Sequence, residues 1–98
     1  MKERNELIIL YDFYGELLSD LEKLYFECYY FNNYSLGEIA DNYDISRNAV
    51  HKHIKNAENK LVNYEDKLKL YYKYGKLNKV LDEIEDEKLV NKIKNIFE

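Results

Sequence analysis

The sequence of 98 residues contains no proline and only three glycines, the two residue types that most often interrupt regular structure. Helices can therefore run without a forced break, and folds made of strands and tight turns lack their usual turn residues. This composition favours an all-α protein. At this length we expect one domain, or one domain with an appendage, around a single small core.

Cysteine and long apolar runs are also scarce. Cys28 is the single cysteine, so an internal disulfide is impossible, and a structural zinc site with several thiolate ligands is not expected. We interpret Cys28 as a small apolar residue on the inner face of a helix. The charged first residues lead only into a short apolar run at residues 7–10, which is neither a signal peptide nor a membrane span. We therefore expect a cytoplasmic protein that does not enter a membrane.

The arrangements on which enzymes depend are missing. There is no glycine-rich phosphate loop, and no serine or cysteine is placed as a nucleophile beside a base. His51 and His53 are two residues apart, a spacing that puts them on different faces of a helix and does not suit one metal ion. We interpret Glu38, Asp41 and Asp44 as parts of helix caps and a turn. We therefore expect no catalysis, no metal and no cofactor.

The chain is acidic overall, but the segment at residues 46–60 carries an excess of positive charge. The chain has a formal net charge of −4 at pH 7, and residues 1–34 alone carry −4 from three basic and seven acidic residues. Residues 46–60 carry +3, from four basic residues and one acidic residue. A chain of this net charge is not a general polyanion binder, so any contact with nucleic acid depends on the local positive segment.

Apolar residues at three- and four-residue steps predict a first helix over residues 5–18. Its expected inward side chains are Leu7, Leu10, Tyr11, Tyr14, Leu17 and Leu18. Ser19 and Glu22 then form a capping box, in which each side chain accepts a hydrogen bond from the other residue's backbone amide. A second helix follows, with Leu21, Leu24, Tyr25 and Cys28 directed inward and Tyr29 at the edge of that face. Asn32 and Asn33 mark a turn, because asparagine tolerates left-handed backbone.

A helix-turn-helix is predicted over residues 35–60. Ser35 and Glu38 form a second capping box, which starts a short helix at residues 36–42. The buried positions expected for this helix are Leu36, Ile39, Ala40 and Tyr43. The small side chain of Ala40 suits the point where the two helices of the motif cross closely.

The residues of the turn and of the motif's second helix also match the positions that a helix-turn-helix requires. Asp44 stands where the turn requires a positive φ and where glycine is usual; aspartate is an acceptable substitute at some cost. Ile45 fills the apolar corner behind the turn, and Ser46 caps the next helix. Val50 and Ile54 then hold that helix against the preceding one.

The opposite face of this second helix is polar, with Arg47, Asn48, His51, Lys52, Lys55 and Asn59 at three- and four-residue spacing. Major-groove readout needs hydrogen-bonding groups that face base edges and cations beside phosphates. The backbone amides near Ser35 and Gly37 would face a phosphate at the start of the preceding helix. The candidate DNA-binding residues are therefore Arg47, Asn48, His51, Lys52, Lys55, Ser35 and Gly37.

Two alternatives stay open for these residues. The polar face is also what an ordinary solvated helix presents, and many helix pairs of this kind bind no DNA. Glycine early in a helix costs roughly 1 kcal/mol relative to alanine, so the presence of Gly37 needs an explanation. Either the backbone of another molecule or element approaches closely at this point, or the glycine reflects sequence drift. His53 lies beside the apolar stripe and is interpreted as a half-buried packing residue.

Apolar residues continue beyond the motif in a heptad seam, formed by Val50, Ile54, Ala57, Leu61, Tyr64, Leu68 and Tyr71. The seam either packs on the first two helices of its own chain or forms a coiled-coil-like contact in a homodimer. We predict one long helix over about residues 46–74, ended by Gly75. This divides the chain into a helix-turn-helix domain (1–74) and a helical appendage (75–98). The appendage carries two apolar sets, Leu77, Val80, Leu81 and Ile84, then Leu89, Ile93, Ile96 and Phe97.

Residues 34–61 resemble the helix-turn-helix of region 4 of bacterial sigma factors. More specifically, short stretches within residues 5–72 resemble the YlxM family, small bacterial helix-turn-helix proteins encoded beside signal recognition particle genes. These stretches are residues 11–18, 29–30, 35–40, 45–47 and 49–50. The resemblance implies an all-α helical bundle with a sigma region 4-like helix-turn-helix, unrelated to winged helices, whose recognition helix extends toward the C-terminus.

The resemblance also implies two functions between which the residues do not choose. The first is a DNA-binding regulatory protein that acts through the polar face, as a homodimer if the heptad seam joins two chains. The second is an interaction protein whose same face binds and modulates the signal recognition particle GTPase or its RNA.

Overall fold

The computed structural model describes residues 3–97, which form an all-α fold without strands. Six α-helices follow one another in this part of the chain: α1 (Arg4–Tyr14), α2 (Asp20–Tyr30), α3 (Leu36–Tyr43), α4 (Arg47–Leu68), α5 (Leu70–Leu81) and α6 (Glu87–Phe97). Helix α4 is the central element, because α1, α2 and α3 all pack against it. Helix α5 contacts α1, and the whole is elongated, with extents of 53 × 23 × 21 Å. The all-α class predicted from the sequence is confirmed.

Helix α1 ends earlier than residue 18. A short 3-10 turn, Gly15–Leu17, follows it, and Leu18 then adopts extended backbone that leads into the Ser19 cap. This change of direction buries Leu18 and leaves Leu17 54% exposed, so the inward position predicted for Leu17 is wrong. Gly15 lies directly beneath the ring of Tyr11, where a Cβ atom would stand 3.0 Å from the ring carbons.

Helix α2 begins with the predicted capping box. The Ser19 hydroxyl accepts from the amide of Glu22 at 3.2 Å, and the Glu22 carboxylate accepts from the amide of Ser19 at 2.9 Å. The first turn directs Glu22 toward α4 and leaves Leu21 49% exposed, so the inward position predicted for Leu21 is wrong. Phe26, which was not predicted to be buried, is fully buried and stacks between Tyr11 and Tyr30.

The corner between α2 and α3 is held by Arg4. Its guanidinium donates to the carbonyl oxygens of Tyr29 and Tyr30 and to Oδ1 of Asn33, at 2.9–3.1 Å, and it lies 4.8 Å from the ring centre of Tyr30. Asn33 has the predicted left-handed backbone, with φ of 58°. Arg4 thereby fixes the direction in which the chain enters α3, a role that no local pattern indicates.

The first part of the heptad seam lies in the protein's own core. Val50, Ile54, Ala57 and Leu61 are buried, each with 3% or less of its surface exposed. The coiled-coil alternative is therefore wrong for these four residues, because α1, α2 and α3 already cover them. Beyond these four residues the seam is exposed to solvent at Leu68, whose side chain is 46% exposed.

Helix α4 ends at Leu68, not near residue 74, because Lys69 turns to left-handed backbone with φ of 55°. Glu65 and Tyr14 stabilise this break. The Glu65 carboxylate accepts from the amides of Tyr71 and Tyr72 at 3.1 and 3.2 Å, and the Tyr14 hydroxyl accepts from the amide of Leu70 at 3.0 Å. These bonds satisfy amides that every helix start leaves without intrahelical partners. Gly75, predicted to end the long helix, instead lies within α5.

Helices α5 and α6 form a hairpin, residues 70–97, which we call the arm. Leu81 is buried in it, and Phe97 of α6 lies 4.9 Å from the ring of Tyr74. Phe13 of α1 contacts the rings of Tyr71 and Tyr74, which joins the arm to the body. Among residues 3–97, no helix has the length and apolar character needed to cross a membrane.

Candidate nucleic-acid interface

Helices α3 and α4, with the turn between them, form the helix-turn-helix. The capping box that opens α3 is present: the Ser35 hydroxyl accepts from the amide of Glu38 at 3.1 Å, and the Glu38 carboxylate accepts from the amide of Ser35 at 3.0 Å. Asp44 has the predicted positive φ, 53°, and the amides of Asp44 and Ile45 both donate to the carbonyl of Ala40. Ser46 caps α4 by accepting from the amide of Ala49 at 3.0 Å.

The crossing of the two helices is close and apolar. Ile39 and Val50 are fully buried and Ala40 is 6% exposed, as predicted. Tyr43 is 41% exposed, so its predicted burial is wrong. Its ring lies edge-on to Tyr25 at 5.6 Å and its hydroxyl meets the sulfur of Cys28, a position that covers α2 while the other side of the ring remains in solvent.

The start of α4 presents four exposed polar side chains, Arg47, Asn48, His51 and Lys52. Among residues 3–97 none of the four takes part in a side-chain hydrogen bond or an ion pair. Arg47, Asn48 and His51 line one open cleft together with Tyr29, Ser35 and Leu36. The structure thus brings most of the candidate residues to one surface. Tyr29 is a part of that surface that was not predicted, and Leu36, predicted to be buried, is half-buried and lines it.

Gly37 has a specific neighbour at this surface. A Cβ atom built on Gly37 would lie 3.0 Å from one terminal nitrogen of Arg47 and 3.2 Å from its Nε. The guanidinium of Arg47 therefore crosses the first turn of α3 at a point where only glycine leaves full room. The neighbour that a Cβ atom on Gly37 would meet is thus the far end of an exposed side chain, and not a backbone segment.

Lys55 differs from the other candidates. It is half-buried, and its ammonium lies 3.3 Å from the Glu58 carboxylate. Glu58 also accepts from the hydroxyl of Tyr30, and burial together with this hydrogen bond raises the pKa of Tyr30. Sequence reasoning missed this arrangement, although the three-residue spacing of Lys55 and Glu58 on a helix indicates the ion pair.

His53 packs against the body of the protein. It is half-buried, and its ring lies 5.3 Å from that of Tyr25, which confirms its interpretation as a packing residue. Residues 3–97 contain no group of three His, Cys, Asp or Glu side chains that could hold a metal ion.

Glu22 and Lys60 fix α4 to α2 behind this surface. The Lys60 ammonium donates to the Glu22 carboxylate at 2.9 Å, and Glu22 is only 5% exposed. Burial by itself raises the pKa of Glu22, but the hydrogen bonds from Lys60 and Ser19 outweigh it and hold this pKa below its usual value. The charged pair therefore keeps the orientation of α4, and with it the direction of its polar face.

Comparison with known proteins places this chain among bacterial relatives. The UPF0122 family, described as "Putative helix-turn-helix protein, YlxM / p13 like", matches residues 1–97. A UPF0122 protein of Listeria innocua is 42% identical over 84 residues, which are 86% of this chain and 76% of the relative. A UPF0122 protein of Caldanaerobacter subterraneus is 46% identical over 80 residues, 82% of this chain and 68% of the relative.

A third relative extends the similarity into the arm. A UPF0122 protein of Lactococcus lactis is 39% identical over an alignment of 101 positions, which covers 98% of this chain and 91% of the relative. The family resemblance inferred from residues 5–72 is thereby confirmed over nearly the whole chain. Together with the geometry of α3 and α4, these matches show that the chain belongs to the UPF0122 family of YlxM/p13-like helix-turn-helix proteins.

Proposed function

We propose that this protein is a DNA-binding regulatory protein that inserts the start of α4 into the major groove. One observation carries the proposal: Arg47, Asn48, His51 and Lys52 are exposed at the N-terminal end of α4 and have no polar partner within residues 3–97. The opposite side of the same helix is anchored in the core through Val50 and Ile54. Polar groups without partners on an anchored helix are suited to base recognition, because no existing hydrogen bond has to break and the helix backbone is already ordered.

Each side chain has a chemical role in this proposal. Arg47 can donate two parallel hydrogen bonds to guanine, and Asn48 can pair with the N6 and N7 positions of adenine. Lys52 contacts a phosphate as a point charge. The backbone amides of Leu36 and Gly37, at the start of α3, face a second phosphate. Lys55 contributes less, because contact with DNA requires it to leave Glu58.

The experiment is selection of bound fragments from fragmented genomic DNA, followed by affinity measurements on the selected sequence and on an unrelated one. Lys52→Ala should weaken binding to both fragments by a similar factor, because a phosphate contact carries no sequence information. Asn48→Ala should lower the ratio of the two affinities, by about 1–3 kcal/mol of discrimination. Recovery of no preferred sequence would contradict base readout.

A second candidate function is the binding of a protein or RNA of the signal recognition particle through the same surface. The observation that favours it is the modest charge of the surface, where Arg47 and Lys52 are the unpaired cations and Lys55 is neutralised by Glu58. Tight DNA binding usually rests on more phosphate contacts than two. This candidate predicts weak DNA binding even at low salt and a changed GTPase rate of the particle when the protein is added.

A further inference from the structure

Tyr29 belongs to the recognition surface although it lies outside the helix-turn-helix. It is the second-last residue of α2, six residues before the cap of α3. Its side chain is half-buried and lines the same open cleft as Ser35, Arg47, Asn48 and His51. A molecule that contacts these four candidate residues therefore also meets Tyr29.

The ring of Tyr29 is held by two neighbours. The ring of Tyr30 meets it edge-on, with ring centres 5.1 Å apart and an interplanar angle of 82°. The Arg4 guanidinium lies 5.6 Å from the centre of the Tyr29 ring and donates to the Tyr29 carbonyl at 3.1 Å. A side chain that is already held in place loses little freedom when it binds a ligand, which lowers the entropic cost of a new contact.

The hydroxyl of Tyr29 has no hydrogen-bond partner within residues 3–97. The neighbouring tyrosines use theirs inside the protein, because Tyr11 donates to Glu27 and Tyr30 donates to Glu58. Partly buried tyrosines usually pair the hydroxyl with a polar group. Tyr29 therefore brings an unused donor to the recognition surface.

The cleft beside Tyr29 is suited to an anion. Within the described chain, the one charged side chain that lines this cleft is that of Arg47, and no acidic side chain lines it. The Arg47 guanidinium crosses the first turn of α3 at Gly37. The amides of Leu36 and Gly37 have no backbone or side-chain acceptor within residues 3–97, whereas the next amide donates to Ser35. Every polar group gathered here can donate a hydrogen bond, which is what a phosphate accepts.

We propose that the Tyr29 hydroxyl donates a hydrogen bond to the DNA phosphate at the start of α3, so that α2 takes part in DNA binding beside the helix-turn-helix. The inference rests on the proposed function, because it concerns the same surface. A phosphate contact from a neutral donor adds affinity and fixes the position of the protein on the duplex, but it reads no base.

Tyr34 is the other tyrosine near this corner, and the structure gives it a different setting. Its side chain is 39% exposed, and its hydroxyl also lacks a partner within residues 3–97. The cleft that Tyr34 lines includes Glu38 and no residue of α4. The carboxylate of Glu38 repels a phosphate there, so Tyr34 serves as a matched control for Tyr29.

The test removes the hydroxyl alone. Tyr29→Phe keeps the ring and its contacts with Tyr30 and Arg4, so circular dichroism and urea unfolding should match the wild type. Fluorescence anisotropy should show affinity lowered about fivefold on both the selected and the unrelated fragment, the effect of one lost hydrogen bond. The ratio of the two affinities should not change. Tyr34→Phe should bind both fragments like the wild type.

Salt dependence separates this contact from that of a lysine. A neutral hydroxyl releases no counterion when it binds a phosphate, so Tyr29→Phe should keep the wild-type slope of log affinity against log salt. The contacted phosphate is then located by replacing one DNA phosphate at a time with an uncharged methylphosphonate. At that phosphate the replacement should weaken wild-type binding about fivefold more than it weakens Tyr29→Phe, because the variant has already lost the contact.

Four results would overturn the inference and leave the proposed function in place: wild-type affinity in Tyr29→Phe, a changed ratio between the two fragments, an equal loss in Tyr34→Phe, or additive losses at every phosphate. A loss of stability in urea that accompanies the loss of affinity would also overturn it, because the hydroxyl would then act on the fold. A wild type that binds neither fragment would overturn the proposed function and this inference with it.

Discussion

At the scale of single residues, Gly37 links the stability of α3 to the position of Arg47. Alanine is a better helix former than glycine, so Gly37→Ala should raise the free energy of unfolding by up to about 1 kcal/mol. The new Cβ would also stand 3.0 Å from the Arg47 guanidinium and shift it from its present position over α3 by a few tenths of an ångström. DNA affinity should therefore fall by about twofold while stability rises or stays equal.

Gly75→Ala is the matched control for this change. Gly75 also lies within a helix, but a Cβ atom there meets nothing within 4 Å. It should stabilise the protein by a similar amount, measured by urea unfolding, without a change in DNA affinity measured by fluorescence anisotropy. An equal loss of DNA affinity in both variants would show that the effect of Gly37→Ala does not pass through Arg47.

The lowered pKa of Glu22 predicts that the stability of the protein depends on pH. The pKa of this carboxyl group is lower in the folded protein than its usual value of 4.5, so the folded state binds the proton more weakly than the unfolded state. The stability that this difference contributes is present above that value and is lost as the pH falls through the folded pKa. The difference in unfolding free energy between wild type and Glu22→Gln should therefore shrink between about pH 6 and about pH 3. A constant difference across this range would contradict the role given to the Lys60 pair.

At the scale of elements, the break between α4 and α5 depends on the hydroxyl of Tyr14. This side chain is 1% exposed, donates to Glu65 at 2.6 Å and accepts from the amide of Leu70, and burial followed by its hydrogen bond to Glu65 raises its pKa to about 12. Tyr14→Phe keeps the ring but leaves the Leu70 amide without its partner, which should cost about 1–3 kcal/mol in urea unfolding.

Tyr64→Phe provides the comparison for Tyr14→Phe. The Tyr64 hydroxyl makes a longer and exposed hydrogen bond, 3.5 Å to the carbonyl of Leu17, so its removal should change the unfolding free energy by less than about 0.5 kcal/mol. Similar losses in the two variants would indicate that the hydroxyl of Tyr14 has no special part in ending α4.

The elements that the sequence predicts well are those set by local rules. Both capping boxes, the positive φ of Asp44 and the burial of Val50 and Ile54 follow from residues within a few positions of one another. The end of α4 at Leu68 could not be predicted in this way, because the groups that stabilise the break include Tyr14, more than fifty residues away.

Side-chain exposure was less predictable than helix position. Leu17, Leu21 and Tyr43 fit an apolar stripe, yet each lies at a helix end, where the chain turns away from the core. The candidate site was likewise only partly predictable from the sequence. Its exposed face follows from spacing along α4, whereas the approach of Arg47 to Gly37 depends on how two helices cross.

At the scale of the whole molecule, charge and shape divide the protein into three parts. Residues 1–34 carry a net charge of −4, residues 46–60 carry +3, and residues 67–87 hold five lysines followed by five acidic residues. An acidic side next to a basic recognition helix orients the protein as it approaches DNA, because the acidic side is repelled.

The central claim is that the start of α4 binds DNA, and its most direct test is the salt dependence of binding for Lys52→Ala beside Lys92→Ala. Both lysines are exposed, but Lys92 lies in α6, away from the recognition surface. Loss of one phosphate contact should lower the slope of log affinity against log salt by about 0.9, so Lys52→Ala should show this change and Lys92→Ala should keep the wild-type slope. Equal slopes for all three proteins, or no binding by the wild type at about 50 mM salt, would contradict the claim.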